Sequence, residues 1–258
     1  MSNYFAFYND YSYTENMITS TQNQTIKNIV KLSKEKNVLC LDNPKLIEEA
    51  IKKGLKLLYV LKTEKINQTF GSDDIIVADY VLEKFTNVKA SRGVVALIRL
   101  EVLEVQKPTG NFLILDRVQD PGNVGTLIRS AVGSNFLDIY LIDCASVCNS
   151  KTVRSTMGAI FKANLYEVSQ EFINTLKSWD LPIYVADMNG KNIYQTSFAE
   201  NCGVIVGNEG QGVSEELRKV ATDTLCIPMQ NFLESLNAGV SGSIIMYQIT
   251  NGGQNVRS

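Results

Sequence analysis

The second half of the chain repeats one pattern, in which a short, almost continuously apolar run alternates with helical periodicity. Apolar runs fall at residues 112–115, 139–142, 183–186, 204–206 and 225–227, and helical patterns at 124–134, 152–162, 171–177, 214–221 and 238–249. Strands that are apolar on both sides must be buried on both faces, as in a parallel sheet covered by helices. We therefore predict an α/β fold with a parallel sheet, whose ligands bind beyond the carboxyl ends of the strands.

The first half predicts a smaller α/β module. Strand patterns occur at residues 38–41, 57–61, 75–78 and 94–100, helical patterns at 20–37, 44–53 and 80–85, and residues 1–20 form an irregular arm. The polar, turn-forming segment 106–110 then predicts a boundary, with domains at residues 1–106 and 107–258. A chain of 258 residues is long enough for two domains that each bury a core.

Composition limits the chemistry, because the chain contains no histidine. That excludes Ser-His-Asp and Cys-His nucleophilic sites, histidine-ligated zinc and an imidazole base. Five cysteines without a CxxC pair indicate reduced thiols rather than disulfides or a metal site. The net charge of −2 provides no global basic field, so any nucleic acid would bind at a local basic patch.

The same composition predicts a cytoplasmic protein that does not enter a membrane. No apolar run approaches the roughly 18 residues that a membrane span needs. The first lysine is Lys27, so the N-terminal segment lacks the positively charged region of a signal peptide.

Three junctions between predicted elements carry polar residues that turns alone do not require. The first junction, residues 115–129, contains the turn sequence Asp-Pro-Gly-Asn and continues into a helix that holds Arg129. The second, residues 206–212, places three glycines around Glu209, whose carboxylate suits a hydroxyl, an amine or a cation better than a phosphate. The third, residues 227–237, leads into a helix of small residues. Each junction also has a purely structural interpretation, as a capped helix or a glycine-rich turn.

Together the junctions resemble the three motifs of the SpoU/TrmH family of RNA 2′-O-ribose methyltransferases, within the SPOUT superfamily. The matching stretches are Asn123-x-Gly125-x-x-x-Arg129, Val206-Gly207-Asn208-Glu209-Gly210-x-Gly212 and Ile227-Pro228-Met229…Glu234-Ser235-Leu236-Asn237. The third has Asn231 where the family usually has glycine. The first half is similar to the ribosomal-protein-like N-terminal module of members that modify ribosomal RNA.

The resemblance implies a trefoil-knotted methyltransferase domain, a homodimer, S-adenosylmethionine as cofactor and no metal. It implies that the cofactor contacts Gly207, Ile227, Met229, Leu236 and Asn237. It also implies a catalytic set of Arg129, Asn123, Glu209, Ser235 and Asn237. Because a guanidinium holds its proton tightly and is a poor base, we expect Arg129 to bind a phosphate and stabilise the developing alkoxide. Asn123 would orient Arg129 or the ribose.

RNA would bind to a basic surface on the first half, to which residues of the second half could add, and to Arg129 next to the target ribose. The candidates that we favour are Lys52, Lys53, Arg92, Arg129 and Arg154, and further lysines that would extend the surface are Lys56, Lys62, Lys65, Lys89 and Lys151. The lysine group at residues 52–56 also fits an ordinary solvated helix face.

The resemblance favours 23S-type ribosomal RNA as substrate, with transfer RNA as the alternative. A second alternative is a non-catalytic RNA-binding or ribosome-assembly protein. A third, a nucleotide-dependent enzyme of another class, lacks phosphate-loop signatures.

Overall fold

The computed structural model describes residues 17–71, 73–85, 92–101, 103–230 and 235–253. Most of the predicted N-terminal arm, Lys89 and residues 231–234 of the third junction, including Asn231, lie outside these ranges.

The first half is built around a four-stranded sheet. Its elements are α1 (Gln24–Leu32), β1 (Val38–Leu41), α2 (Pro44–Lys52), β2 (Leu57–Lys62), β3 (Ile75–Ile76), α3 (Asp79–Leu82) and β4 (Val94–Arg99). The strand order is β1-β4-β2-β3, with β4 antiparallel to both of its neighbours and β3 parallel to β2. Asn23 and Asn43 cap α1 and α2 by accepting hydrogen bonds from backbone N–H groups.

The second half is built around a six-stranded sheet with the order β10-β8-β9-β5-β6-β7. Its elements are β5 (Phe112–Asp116), α4 (Pro121–Gly133), β6 (Asp138–Ile142), α5 (Ser150–Thr156), β7 (Asn164–Val168), α6 (Phe172–Ser178), β8 (Ile183–Asn192), β9 (Gly203–Gly207), α7 (Glu215–Arg218), β10 (Asp223–Cys226) and α8 (Ala238–Gly253). Every strand pairing in this sheet is parallel, which confirms the predicted α/β architecture.

Two details of the second half differ from the sequence prediction. Strand β7 was not predicted, because it lies at the sheet edge with only Tyr166 buried and its sequence contains no continuous apolar run. The helix predicted at residues 152–162 ends at Thr156, since Met157 and Gly158 take left-handed conformations.

Helices cover both faces of the larger sheet. Helices α4, α5 and α8 lie on one face, whereas Phe172 and Leu176 of α6 and Leu217 of α7 pack on the other, in a cluster that includes Tyr140 and Trp179. The small residues of α8 permit a close approach, because a methyl group on Gly242 would lie 2.4 Å from Leu127 Cδ2. No helix among the residues that the structure describes combines the length and the apolar character that crossing a membrane requires.

The two halves pack directly against each other. One apolar cluster contains Leu39 and Leu41 of β1 together with Val153 of α5 and Leu127 of α4. At the rim of this contact, Arg154 Nε lies 3.1 Å from Asp42 Oδ2.

Candidate functional site

A cleft of about 620 Å³ opens at the carboxyl ends of β8, β9 and β10, the edge of the sheet at which a ligand was predicted. The five residues for which the resemblance predicts cofactor contact all line it: Gly207, Ile227, Met229, Leu236 and Asn237. Glu209 and Ser235 of the predicted catalytic set line it as well. The second and third junctions, 15 or more residues apart in sequence, therefore form one concave surface.

The second junction is a tightly closed loop. The N–H of Asn208 donates to the carbonyl of Gly212 at 3.1 Å, and the N–H of Gly212 donates back to Asn208 at 2.9 Å. Gly212 has a φ of +68°, which favours glycine. A methyl group on Gly207 would lie 2.3 Å from the carbonyl carbon of Gly212, so only glycine lets the two ends of the loop approach this closely. The loop thus presents backbone groups to the cleft in a fixed arrangement.

Glu209 is held by the first junction. Its Oε1 accepts hydrogen bonds from Asn123 Nδ2 at 2.9 Å and from the N–H of Asp120 at 3.1 Å, and its Oε2 accepts from the N–H of Gln119 at 3.3 Å. Loss of water contact alone would raise the pKa of this carboxyl, but the hydrogen bonds outweigh it and the pKa lies below its usual value. Glu209 is therefore an oriented carboxylate at neutral pH.

An ion pair that sequence reasoning missed fastens the same loops together. Asp116, fully buried at the end of β5, accepts hydrogen bonds from Arg117 Nε at 3.0 Å and from the N–H of Ser214 at 2.6 Å. Arg117 also donates to Gln211 Oε1 at 3.0 Å, while its carbonyl accepts from Asn208 Nδ2 at 2.9 Å. The sequence contains one signal for this ion pair. Asp116 ends an apolar strand that is expected to be buried, and a buried carboxylate requires partners.

Asp187 in the middle of β8 and Arg218 at the end of α7 also line the cleft and were not predicted. Arg218 Nη2 donates to Asp187 Oδ2, and Arg218 Nε donates to the carbonyl of Val213 at 3.0 Å. Burial alone would raise the pKa of Asp187, but hydrogen bonds from the Asn189 N–H and from Arg218 lower it overall. This pair adds a cation and an anion to a wall that is otherwise largely backbone and apolar.

Asn123 and Arg129 lie on α4 beside the cleft rather than in its lining. The Asn123 side chain is buried and donates to Glu209, so it orients Glu209 and not Arg129. Arg129 is exposed, and its guanidinium has no hydrogen bond or ion pair within the described ranges. Asn237 caps α8 through a 3.2 Å hydrogen bond to its Oδ1 from the Val240 N–H, in agreement with the structural interpretation of that junction.

The predicted RNA-binding residues differ in exposure and in their partners. Lys52 and Lys53 at the end of α2 and Arg92 before β4 are exposed. Arg154 is half-buried against Asp42 at the contact between the halves. Lys62 is buried and pairs with Asp74 at 3.2 Å, so its inclusion in a basic surface is corrected. Within the described part of the chain, no group of three or more cysteine or carboxylate side chains could hold a metal ion.

Comparison with known proteins gives one consistent result. A sequence model described as the SpoU rRNA methylase family matches residues 110–247. The chain is 28% identical over 244 residues to the 23S rRNA (guanosine(2553)-2′-O)-methyltransferase RlmP of Bacillus subtilis, which covers 90% of this chain and 98% of that protein.

A more distant relative is the 23S rRNA (uridine(2479)-2′-O)-methyltransferase of Streptomyces viridochromogenes, 27% identical over 78% of this chain and 71% of that protein. In fold, the chain is similar to the AdoMet-bound rRNA methyltransferase from Sinorhizobium meliloti, with a TM-score of 0.80, 23% identity, and coverage of 91% of this chain and 97% of that one.

Proposed function

This chain belongs to the SpoU rRNA methylase family, and on that basis we propose that it transfers a methyl group from S-adenosylmethionine to a ribose 2′-hydroxyl of 23S-type ribosomal RNA. The observation that carries this proposal is the contact between the first and second junctions. Asn123 Nδ2 donates a 2.9 Å hydrogen bond to Oε1 of Glu209, which lies on the wall of the cleft. The matched relatives named above act on 23S rRNA, and both cover most of this chain.

The cleft fits S-adenosylmethionine, which supplies an already activated methyl group, so that neither a metal nor histidine is needed. Gly207 and Asn208 offer backbone groups beside the closed loop, and Ile227 and Leu236 offer apolar surface. Glu209 provides negative charge that attracts a cationic ligand and repels a free phosphate. Backbone groups and packing would thus hold the cofactor, with Met229 and Asn237 at its edge.

We propose that Arg129 binds the RNA phosphate next to the target ribose and stabilises the negative charge that develops on its 2′-oxygen. A guanidinium is always charged at working pH, so its role is electrostatic and the proton leaves late or to water. Glu209, Ser235 and Asn237 would position the ribose and the cofactor, and Asn123 would act through Glu209. Positioning of this kind supplies several kcal/mol of barrier reduction.

We further propose that residues 107–258 form a trefoil-knotted domain and that two copies of the chain form a homodimer in the cytoplasm, as the family resemblance implies. Residues 1–106 would then form the RNA-binding domain. The exposed side chains of Lys52, Lys53 and Arg92 support this assignment, since phosphate contacts require cations in reach of solvent.

The test is transfer of labelled methyl from S-adenosylmethionine to separate pools of undermethylated ribosomal RNA and transfer RNA. The expected result is label in ribosomal RNA at one alkali-resistant linkage, lost in Arg129→Ala. Label in transfer RNA alone would support the proposed reaction but show that ribosomal RNA is not the substrate. Absence of both label and cofactor binding would favour a non-catalytic RNA-binding protein.

A further inference from the structure

A second cleft, of about 480 Å³, lies at the carboxyl ends of β6 and β7. Its walls come from both halves of the chain: Lys36, between α1 and β1, faces residues 141–147 and 167–169 of the second half. It shares no lining residue with the cleft that we assign to the cofactor. It has the size of a small-molecule site and lies where two parts of the molecule meet, which is a common place for one.

The first junction lies between the two clefts, because it follows β5, which stands between β9 and β6 in the sheet. On one side of it, the backbone N–H of Gln119 donates to Glu209 at 3.3 Å. On the other side, the Gln119 amide donates to the carbonyl of Asp143 at 2.6 Å, and the N–H of Ala145 donates to the carbonyl of Val118 at 2.9 Å. A chain-like substrate that presents a ribose at Glu209 and crosses the first junction would therefore reach the second cleft.

The charged groups in this cleft are two carboxylates and one ammonium. Asp143 and Glu167 both line it, and within the described residues the Asp143 carboxylate takes part in no hydrogen bond or ion pair. Glu167 pairs with Lys36 at 2.5 Å, but the Lys36 side chain is 75% exposed, and such a pair is easily exchanged for another partner. Two carboxylates against one ammonium disfavour a phosphate, whereas carboxylates accept hydrogen bonds well from the amino groups of nucleobases.

We propose that the second cleft binds one nucleobase of the RNA substrate, close to the methylated ribose, and selects a base that carries an exocyclic amino group. The inference rests on the proposed function, because it requires RNA at the first junction. RNA is commonly read in this way, by single-stranded bases that are turned out into pockets and recognised along their hydrogen-bonding edges. Asp143 and Glu167 would accept the amino hydrogens, and Lys36 would be released toward the backbone phosphate.

The first test compares Asp143→Asn, Glu167→Gln and the double variant with the wild-type full-length chain. Asp143 has a φ of +48°, which asparagine adopts readily, so this change preserves the loop. We expect the KM for ribosomal RNA to rise about tenfold in the double variant, while kcat and the Kd for S-adenosylmethionine stay within twofold. Glu171→Gln is the matched control, because Glu171 is exposed outside the cleft.

The second test locates the base. In an unmethylated RNA fragment that the wild type methylates, each nucleotide near the target is replaced in turn by an analogue without its amino group, such as inosine for guanosine. One position is expected to weaken methylation by the wild type about tenfold and to have no effect on the double variant, since both changes remove the same contact.

Unchanged KM values in the variants, with an active wild type, would overturn this inference and leave the proposed function intact. A wild type that methylates no RNA would overturn the proposed function, and the inference with it.

Discussion

The charged groups at the main cleft and those of the proposed RNA-binding surface are held in different ways. In the second half, Asp116 and Glu209 are fixed by backbone N–H groups and neighbouring side chains at strand ends. In the first half, Lys52 and Lys53 extend into solvent from the end of α2. A group that acts at a reacting atom has to be fixed in place, because its misplacement lowers the reaction rate. Attraction of a polyanion requires only charges that are exposed to solvent.

The strongest test of this difference is Gly207→Ala, which adds one methyl group to the closed loop. That group would lie 2.3 Å from Gly212, so we expect destabilisation of about 1–3 kcal/mol and loss of S-adenosylmethionine binding. Gly210→Ala is the matched control, since its methyl group would meet only Asn208 Oδ1 at 3.7 Å. Calorimetry measures the binding of S-adenosylmethionine, and thermal unfolding measures the loss of stability. Normal cofactor binding by Gly207→Ala would show that the loop is not rigid.

Glu209→Gln tests the fixed carboxylate by removing its charge. Weaker hydrogen bonds from Asn123 and from the N–H groups of Gln119 and Asp120 should slow methyl transfer about tenfold and cost about 1 kcal/mol of stability, after allowance for solvent screening.

The pH dependence of Glu209 follows from its lowered pKa. The carboxylate contributes stability in full above the usual glutamate pKa of about 4.3 and loses it as the pH falls through the lower pKa of the folded state. The free energies of unfolding of the wild type and of Glu209→Gln, measured from pH 7 to pH 3, should therefore converge only at the acid end. A difference between them that stayed constant over this range would contradict this account.

In the first half, the double change Lys52→Ala and Lys53→Ala should weaken RNA binding only a few-fold and leave cofactor binding unchanged. The slope of log affinity against log salt should become shallower by about 0.7 for each lysine on single-stranded RNA. Lys177→Ala, at an exposed position on α6, serves as the control. An unchanged salt slope would remove these lysines from the RNA-binding surface.

The smallest effect is expected where the halves meet. Asp42→Asn breaks the ion pair with Arg154, in which the Asp42 side chain is 17% exposed and the Arg154 side chain 36%. We expect this change to lower the free energy of unfolding by about 0.5–1 kcal/mol. Glu35→Gln breaks a pair with Arg99 that is nearly half exposed on both sides, and should have almost no effect. If chemical denaturation gave the same loss of unfolding free energy for Asp42→Asn and Glu35→Gln, burial at the contact between the halves would add nothing to the strength of the ion pair.

The fold and the position of the main cleft could be predicted because both follow from short stretches of sequence, whereas the individual lining residues followed from the family resemblance. Apolar runs indicate strands, and the loops after parallel strands meet at one edge, so Gly207 and Ile227 come together without any knowledge of their contacts. Contacts between distant residues leave no such local signal. Nothing near Arg154 indicates that Asp42, 112 positions earlier, would be its partner, and nothing near Arg218 indicates Asp187.

The smaller sheet buries its two faces against different parts of the chain, and this affects the order of folding during synthesis. Leu61, Val95 and Leu97 point into a cluster made of first-half residues alone, which can close as soon as β4 has been made. Leu39 and Leu41 belong to the cluster that continues into α4 and α8. Until those helices leave the ribosome, that face is covered only in part, by Leu46, Ile47 and Ala50 of α2, and exposes apolar surface to other chains.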